Sequence, residues 1–495
     1  MLEILQRIRQ ETGDKLTVGL SDETIRLFLE SDYRLGHAIK TAELRFLELK
    51  AEYPTLLKMS EKDLIASTQK NFVNFYAADA INPYLALSAK GPWIISTCGA
   101  VIYDTGGYGM LGSGHAPDFV LKILPKEHVM ANIMTASFTQ LRFIEKMQNE
   151  VGQRRPAPLR NPYSHFIAMN SGSESMTVAT RISDVNAQKH TSKGGVHEGK
   201  KIKFLALRGG FHGRTERPAQ ASDSSRRSYE KNLASFKGLD NLVLVEPNDV
   251  GGLRKAFESA EKDGVFFELM FMEPVMGEGN PGLAATPEFF KTARQLTKKM
   301  GTLLVVDSIQ AGFRAQGYLS ICDYPGFENL EAPDMESFSK ALNAGQYPLS
   351  VLAMAPGVSA LYAKGIYGNT MTGNPKALDV ACAVLDHITE GLRLNIRHRG
   401  GEFVSKLKGL MSEFPGIVTG VQGTGLLVSC EINGDTFDVV GFDGIETIMR
   451  KNGIGVIHGG VNSLRFTPVF DISSAEIDLI ITGVRNALKT AKKKR

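Results

Sequence analysis

The sequence predicts an α/β protein, a large domain with a mostly parallel sheet covered by helices plus a smaller α+β domain. Three observations predict it. From about Tyr163, short apolar runs alternate with helical stretches, the pattern of parallel strands joined by helical crossovers. After Asn374-Pro375 the pattern shifts to a long helix, Gly-x-Gly turns and shorter strands. At 495 residues the chain is long enough for two domains.

The elements follow in order. The first ninety or so residues are rich in Leu, Glu and Lys at helical spacing, with Ile25, Phe28, Leu29, Leu44 and Leu47 as apolar positions. Strands are expected at His165–Met169, Lys203–Leu207, Leu242–Val245, Leu269–Met272 and Thr302–Val306. Pro287–Met300 reads as an amphipathic helix, with Pro early and Gly301 just past its end. Helices are also expected from Ala377 to about Glu390 and from Ser474 to Lys489. The expected domains are a helical N-terminal segment, 1–100, partly joining the small domain, a large domain, 101–375, and a C-terminal small domain, 376–495.

Composition excludes several classes. With 43% hydrophobic and 22% charged residues, the chain is neither disordered nor a membrane protein, and no apolar run reaches the eighteen or so residues of a span. The net charge of +4 owes much to the Ala491–Arg495 tail, a solvated end, so no nucleic-acid partner is expected. The amino-terminal residues mix acids with bases, unlike a signal or transit peptide. Cys98, Cys322, Cys382 and Cys430 are far apart, with no metal-ligand spacing; reduced thiols, a cytoplasmic location and no metal are expected.

Chemistry collects at the strand ends. Asn170-Ser-Gly-Ser-Glu-Ser175 follows one strand and opens a helix, where backbone N–H groups, Gly172 and Ser173 suit a phosphate. Gly209-Gly-Phe-His-Gly-Arg-Thr215 follows the next, bringing an aromatic plane, Phe211, and a carboxylate-binding cation, Arg214. Glu278 sits in the glycine-flanked loop after Glu273-Pro274. Asp307 ends the apolar Leu303–Val306 run, where burial demands a cationic partner, and Lys340 follows 33 residues later in Ser-Lys-Ala-Leu. One amine and one acid so placed suit pyridoxal phosphate: the amine holds the aldehyde and the acid keeps the ring nitrogen protonated.

In this order of motifs the chain resembles the class III (ω-amino acid) aminotransferases, from roughly Tyr103 to Pro468 and most closely the ornithine and 4-aminobutyrate subgroup. The resemblance implies the fold-type I architecture of pyridoxal-phosphate enzymes. It makes Lys340 the Schiff-base lysine and Asp307 the carboxylate on the pyridine nitrogen. Gln310 lies near the phenolic oxygen, Phe211 stacks on the ring, and Gly172 and Ser173 hold the phosphate. In Gly368-Asn-Thr-Met-Thr-Gly-Asn-Pro375, Thr370 reaches the cofactor phosphate of a partner subunit, implying a homodimer with shared sites.

For substrates the resemblance implies an amino donor and a 2-oxo acid. Arg214 takes the donor's far carboxylate, Arg465 of Leu-Arg-Phe-Thr-Pro takes the second carboxylate of 2-oxoglutarate, and Glu278 neutralises Arg465 when that carboxylate is absent. Tyr108 is either a pocket tyrosine or a core one. The expected reaction moves an amino group from an ornithine-, 4-aminobutyrate- or lysine-like donor to 2-oxoglutarate, with Lys340 as the base. The cofactor machinery alone also fits a mutase, racemase or lyase, and outside enzymes the alternative is an inactive scaffold. Three departures bear on the substrate: Ser308 where the family usually has an acid, Met276 where glutamine is common, and Glu216-Arg217 close behind Arg214.

Overall fold

The computed structural model describes residues 1–106, 109–130 and 134–494. Two compact units emerge, one of residues 1–118 with 398–495 and the other of residues 119–397. The sequence boundaries at 100/101 and 375/376 thus fall inside units. The second does so because the helix Pro375–His387 buries Val380 and Val384 against Val120 and Ala344, which keeps it with the larger unit.

The larger unit is built on a seven-stranded sheet. Its strands are β1 (His165–Met169), β2 (Lys201–Leu207), β3 (Leu242–Val245), β4 (Val265–Met272), β5 (Leu303–Asp307), β6 (Met335–Phe338) and β7 (Ser350–Met354). They lie in the order β1-β7-β6-β5-β4-β2-β3. Pairing is parallel from β6 through β5, β4 and β2 to β3, and β7 runs antiparallel to both its neighbours. The central strands β4 to β7 are buried along their whole length, as expected of a sheet covered on both faces.

Helix α1 (Gly172–Thr191) packs Met176, Ala179 and Ile182 into the sheet core with Phe204, Phe271 and Val305. Helix α2 (Pro287–Met300) starts with Pro at its first turn, is capped by Thr286, and stops at Gly301, whose φ of 70° needs no Cβ.

The other unit joins both ends of the chain. Helices Leu2–Glu11, Asp22–Ser31, Tyr33–Glu52 and Glu61–Gln69 precede strands Ala86–Lys90, Trp93–Ser96 and Val101–Asp104, which form a sheet with Ile454–Gly455. The segment expected to be helical therefore ends in strands. Buried Trp93 anchors it, its indole N–H donating to Asp32 at 2.7 Å and its ring meeting Phe28 and Tyr103 at 5.1 Å. An antiparallel sheet follows, in the order Val418–Thr424, Leu427–Ile432, Ser463–Phe466, Ile457–Gly459.

Candidate active site

In the parallel part of the sheet the carboxyl ends of β2, β4, β5 and β6 bring the expected residues together, as α/β topology dictates. Asp307 is the last residue of β5 and is 5% exposed. One carboxylate oxygen faces His212 Nδ1 at 3.1 Å, and the other accepts the N–H of Ile309 at 3.2 Å. His212 itself is buried against Phe271, and its Nε2 has no hydrogen-bond partner among the described residues.

Three residues beyond Asp307, buried Gln310 donates to the carbonyl of Gly277 and accepts from Lys340 Nζ, both at 3.1 Å. The amine and the Asp307 turn are thereby linked through one amide. Lys340 follows β6 with a φ of 33°, a left-handed conformation that an unbranched non-glycine residue adopts at some cost. Strain at the residue expected to bear the chemistry fits a functional position.

The phosphate end begins where β1 meets α1. Ser171 caps the helix by accepting the N–H of Glu174, and Glu174 accepts in return from the N–H of Ser171, a capping box. Gly172 and Ser173 are then the first two helical residues. A Cβ at Gly172 would come within 2.7 Å of Ile309, so glycine lets the helix start press against the Asp307 turn. Ser173 Oγ accepts the N–H of Arg214 at 3.1 Å, and Gly213, at φ 115°, approaches Ser173 so closely that a Cβ would meet Oγ at 2.8 Å.

These residues fit pyridoxal phosphate. An amine, a buried acid that meets an imidazole and an N–H among the described residues, a helix N-terminus with a serine hydroxyl and an aromatic plane supply the four kinds of contact that its aldehyde, ring nitrogen, phosphate and ring require.

The residues expected to bind substrate sit on several elements. Arg214 is exposed, its guanidinium 5.3 Å from the centre of the Phe211 ring. Glu278 is half-buried in the loop after β4. Arg465 belongs to the other unit, 1% exposed on the strand Ser463–Phe466 and in register with Ser429 and Ile457. Thr370 is exposed in a turn whose neighbour Asn369 bonds to Asn170 and Glu174, tying the segment to the start of α1. Tyr108 lies outside the described residues.

Two of the departing residues have partners in the structure. Arg217 pairs with Glu268 at 2.6 Å and Asp184 at 3.2 Å. Ser308 donates to the buried carboxylate of Glu336 at 2.5 Å. Met276 is buried, and nothing in the structure explains its identity.

Three buried groups went unnoticed as site residues. His212 stood inside a motif but its acid lies 95 residues away. Glu273, in the Glu-Pro pair, accepts the N–H groups of Phe211 at 3.1 Å and Gly277 at 2.8 Å, bracing both loops; burial, reinforced by Asp307 and opposed by His212, pushes its carboxyl up to about 7. Glu336 left no such signal, since its strand, Met335–Phe338, is not an apolar run.

The sequence pattern of the family Aminotransferase class-III matches residues 75–488, and the chain belongs to that family. It is therefore a pyridoxal-phosphate-dependent aminotransferase. Among its relatives, ornithine aminotransferase 1 of Staphylococcus saprophyticus is 26% identical over 439 residues, 86% of this chain and 99% of that protein. The acetylornithine aminotransferase of Prochlorococcus marinus is 28% identical over 317 residues, 63% of this chain and 71% of that protein. The crystal structure of ornithine aminotransferase from Toxoplasma gondii ME49 shares the fold with a TM-score of 0.73 at 23% identity, covering 89% of this chain and 98% of that one.

Proposed function

We propose that this aminotransferase takes the amino group of an ω-amino acid or diamine-type donor, ornithine-, 4-aminobutyrate- or lysine-like, and passes it to 2-oxoglutarate, giving glutamate and an aldehyde or oxo acid. The observation that carries the reading is the bond from Lys340 to Gln310, three residues beyond Asp307 at the end of β5; the ornithine and acetylornithine specificities in its relatives' names support the donor class.

Bound pyridoxal phosphate supplies an electron sink for the pair released when a substrate C–H bond ionises. Asp307 keeps the ring nitrogen protonated, held in place by His212. Lys340 carries the proton to and from the substrate carbon, a role worth about 10²–10⁴ in rate. Gln310 orients the amine and the phenolic edge, Phe211 covers the ring, and Gly172 and Ser173 bind the phosphate. Arg214 takes the donor's distal carboxylate. The working unit is a homodimer in which Thr370 reaches the partner's phosphate, and the four buried free thiols suit the cytoplasm.

A panel of amino donors assayed for glutamate formation from 2-oxoglutarate tests the reading. The expected result is turnover with at least one ω-amino donor, and its loss in Lys340→Ala along with the bound cofactor's visible absorption. Consumption of a donor without any glutamate would point to a racemase, mutase or lyase instead.

A further inference from the structure

Glu336 is wholly buried on β6 and has four hydrogen-bond donors around it. The hydroxyls of Ser308, Ser320 and Tyr163 donate to it at 2.5, 2.6 and 2.7 Å, and the N–H of Ile321 at 2.9 Å. A carboxylate has about four lone-pair sites, so its accepting capacity is filled. Burial still pushes it up to about 7 against those bonds. An acid in such a place is costly, and a leucine of similar size would fill the volume without the cost.

What the acid achieves is visible in the register. Asp307 lies opposite Ser337, and Val306 opposite Glu336, so Glu336 and Ser308 stand on either side of Asp307 across the β5–β6 pair. Ser308 is also the first residue of the turn, its N–H bonded to the carbonyl of Ser337 at 3.0 Å. Among the four hydrogen bonds that the Glu336 side chain accepts, the one from Ser308 is therefore the one that reaches the segment carrying Asp307 and Gln310. The other three donors belong to the approach to β1 and to residues 320–321, outside that turn.

We infer that Glu336 is a positioning residue for cofactor binding, acting through Ser308 to fix the turn that presents Asp307 and Gln310. The inference rests on the reading of those two residues as cofactor contacts. It differs from a purely structural role in one respect: of the bonds to Glu336, only the one from Ser308 should govern the cofactor, whereas all should support the fold.

Two mild substitutions separate these roles, since Ser308→Ala and Ser320→Ala each remove one hydroxyl donor from the same carboxylate. Apoprotein of each variant is titrated with pyridoxal phosphate, following the visible absorption of the bound form, and its melting temperature is measured without cofactor. Ser308→Ala is expected to weaken cofactor binding about tenfold and Ser320→Ala less than twofold, while both lower the melting temperature. In a Glu336→Gln background, already weakened for cofactor, Ser308→Ala should add less than twofold. Equal effects of the two serine variants on the cofactor Kd, or full additivity of Ser308→Ala with Glu336→Gln, would overturn the inference. Asp307→Ala serves as the reference: an unchanged Kd there would remove the site reading itself, whereas a weakened Kd there with no change in Ser308→Ala removes only the role of Glu336.

Discussion

Buried carboxylates within residues 119–397 are held in two different ways. Some are answered by arginines: Asp334 by Arg294 at 2.8 Å, Glu268 by Arg217 at 2.6 Å and Glu150 by Arg393 at 2.7 Å. Near the carboxyl ends of β4 to β6 the partners are backbone N–H groups for Glu273, hydroxyls and one N–H for Glu336, and an imidazole and one N–H for Asp307. Burial raises carboxyls in both groups, Glu268 reaching about 7 in spite of its arginine, so the difference is not one of titration alone. It lies in what the charge is available for. A carboxylate cancelled by a guanidinium has no field to spend on a ligand, while Asp307, oriented by weak donors, can still attract a cationic ring nitrogen.

The comparison breaks most visibly at Asp307. Asp307→Ala should reduce kcat/KM about a thousandfold, the scale of losing a preorganised electrostatic partner, and leave the apoprotein's melting temperature close to that of the parent. Steady-state kinetics beside a thermal melt check it; near-parental turnover would mean that the arginine-free acids are not kept for a ligand.

The arginine-held group should behave in the opposite way. Glu150 and Arg393 are both nearly inaccessible, and Arg393 also donates to the carbonyl of Gly317 and lies over the Tyr318 ring at 4.9 Å. Glu150→Ala leaves a buried guanidinium short of its acid and should cost about 3–5 kcal/mol in denaturant unfolding. Cofactor affinity of the folded variant should stay within twofold of the parent. A large loss of affinity would erase the distinction between the two groups.

How much of this was legible in the sequence follows from the range of each interaction. Strands at 165–169 and 242–245 were readable because each is an unbroken apolar run between turn residues. β6, Met-Glu-Ser-Phe, was not, since its acid and serine find donors only after folding. Leu44 and Leu47 share the spacing of a core face but are 63% and 50% exposed, whereas Ile25 and Phe28 are buried; periodicity marks a face without saying what covers it. At the site, Asp307 and Lys340 stood out because each breaks the chemistry of its own segment. Glu336 gave no such reading because its meaning depends on Ser308, 28 residues earlier, and on Tyr163, 173 earlier.

The mildest effect is the one that titration should reveal. Glu273 and Glu336 both sit near 7 in the folded protein against an ordinary value of 4.5, burial being the leading cause for each. The folded state therefore holds more protons than the unfolded state between those values, so stability falls as pH rises. Their contribution is fully present below about 4.5 and is lost as pH passes through 7. The apoprotein's unfolding free energy should accordingly decline from pH 5 to pH 8, once the arginine-paired acids are accounted for by the same scan on Glu268→Gln. Glu273→Gln, neutral at every pH, should flatten that decline while forfeiting one backbone bond, because the amide nitrogen cannot accept. A scan with unchanged slope in Glu273→Gln would show that His212 and the loop N–H groups compensate its burial in full.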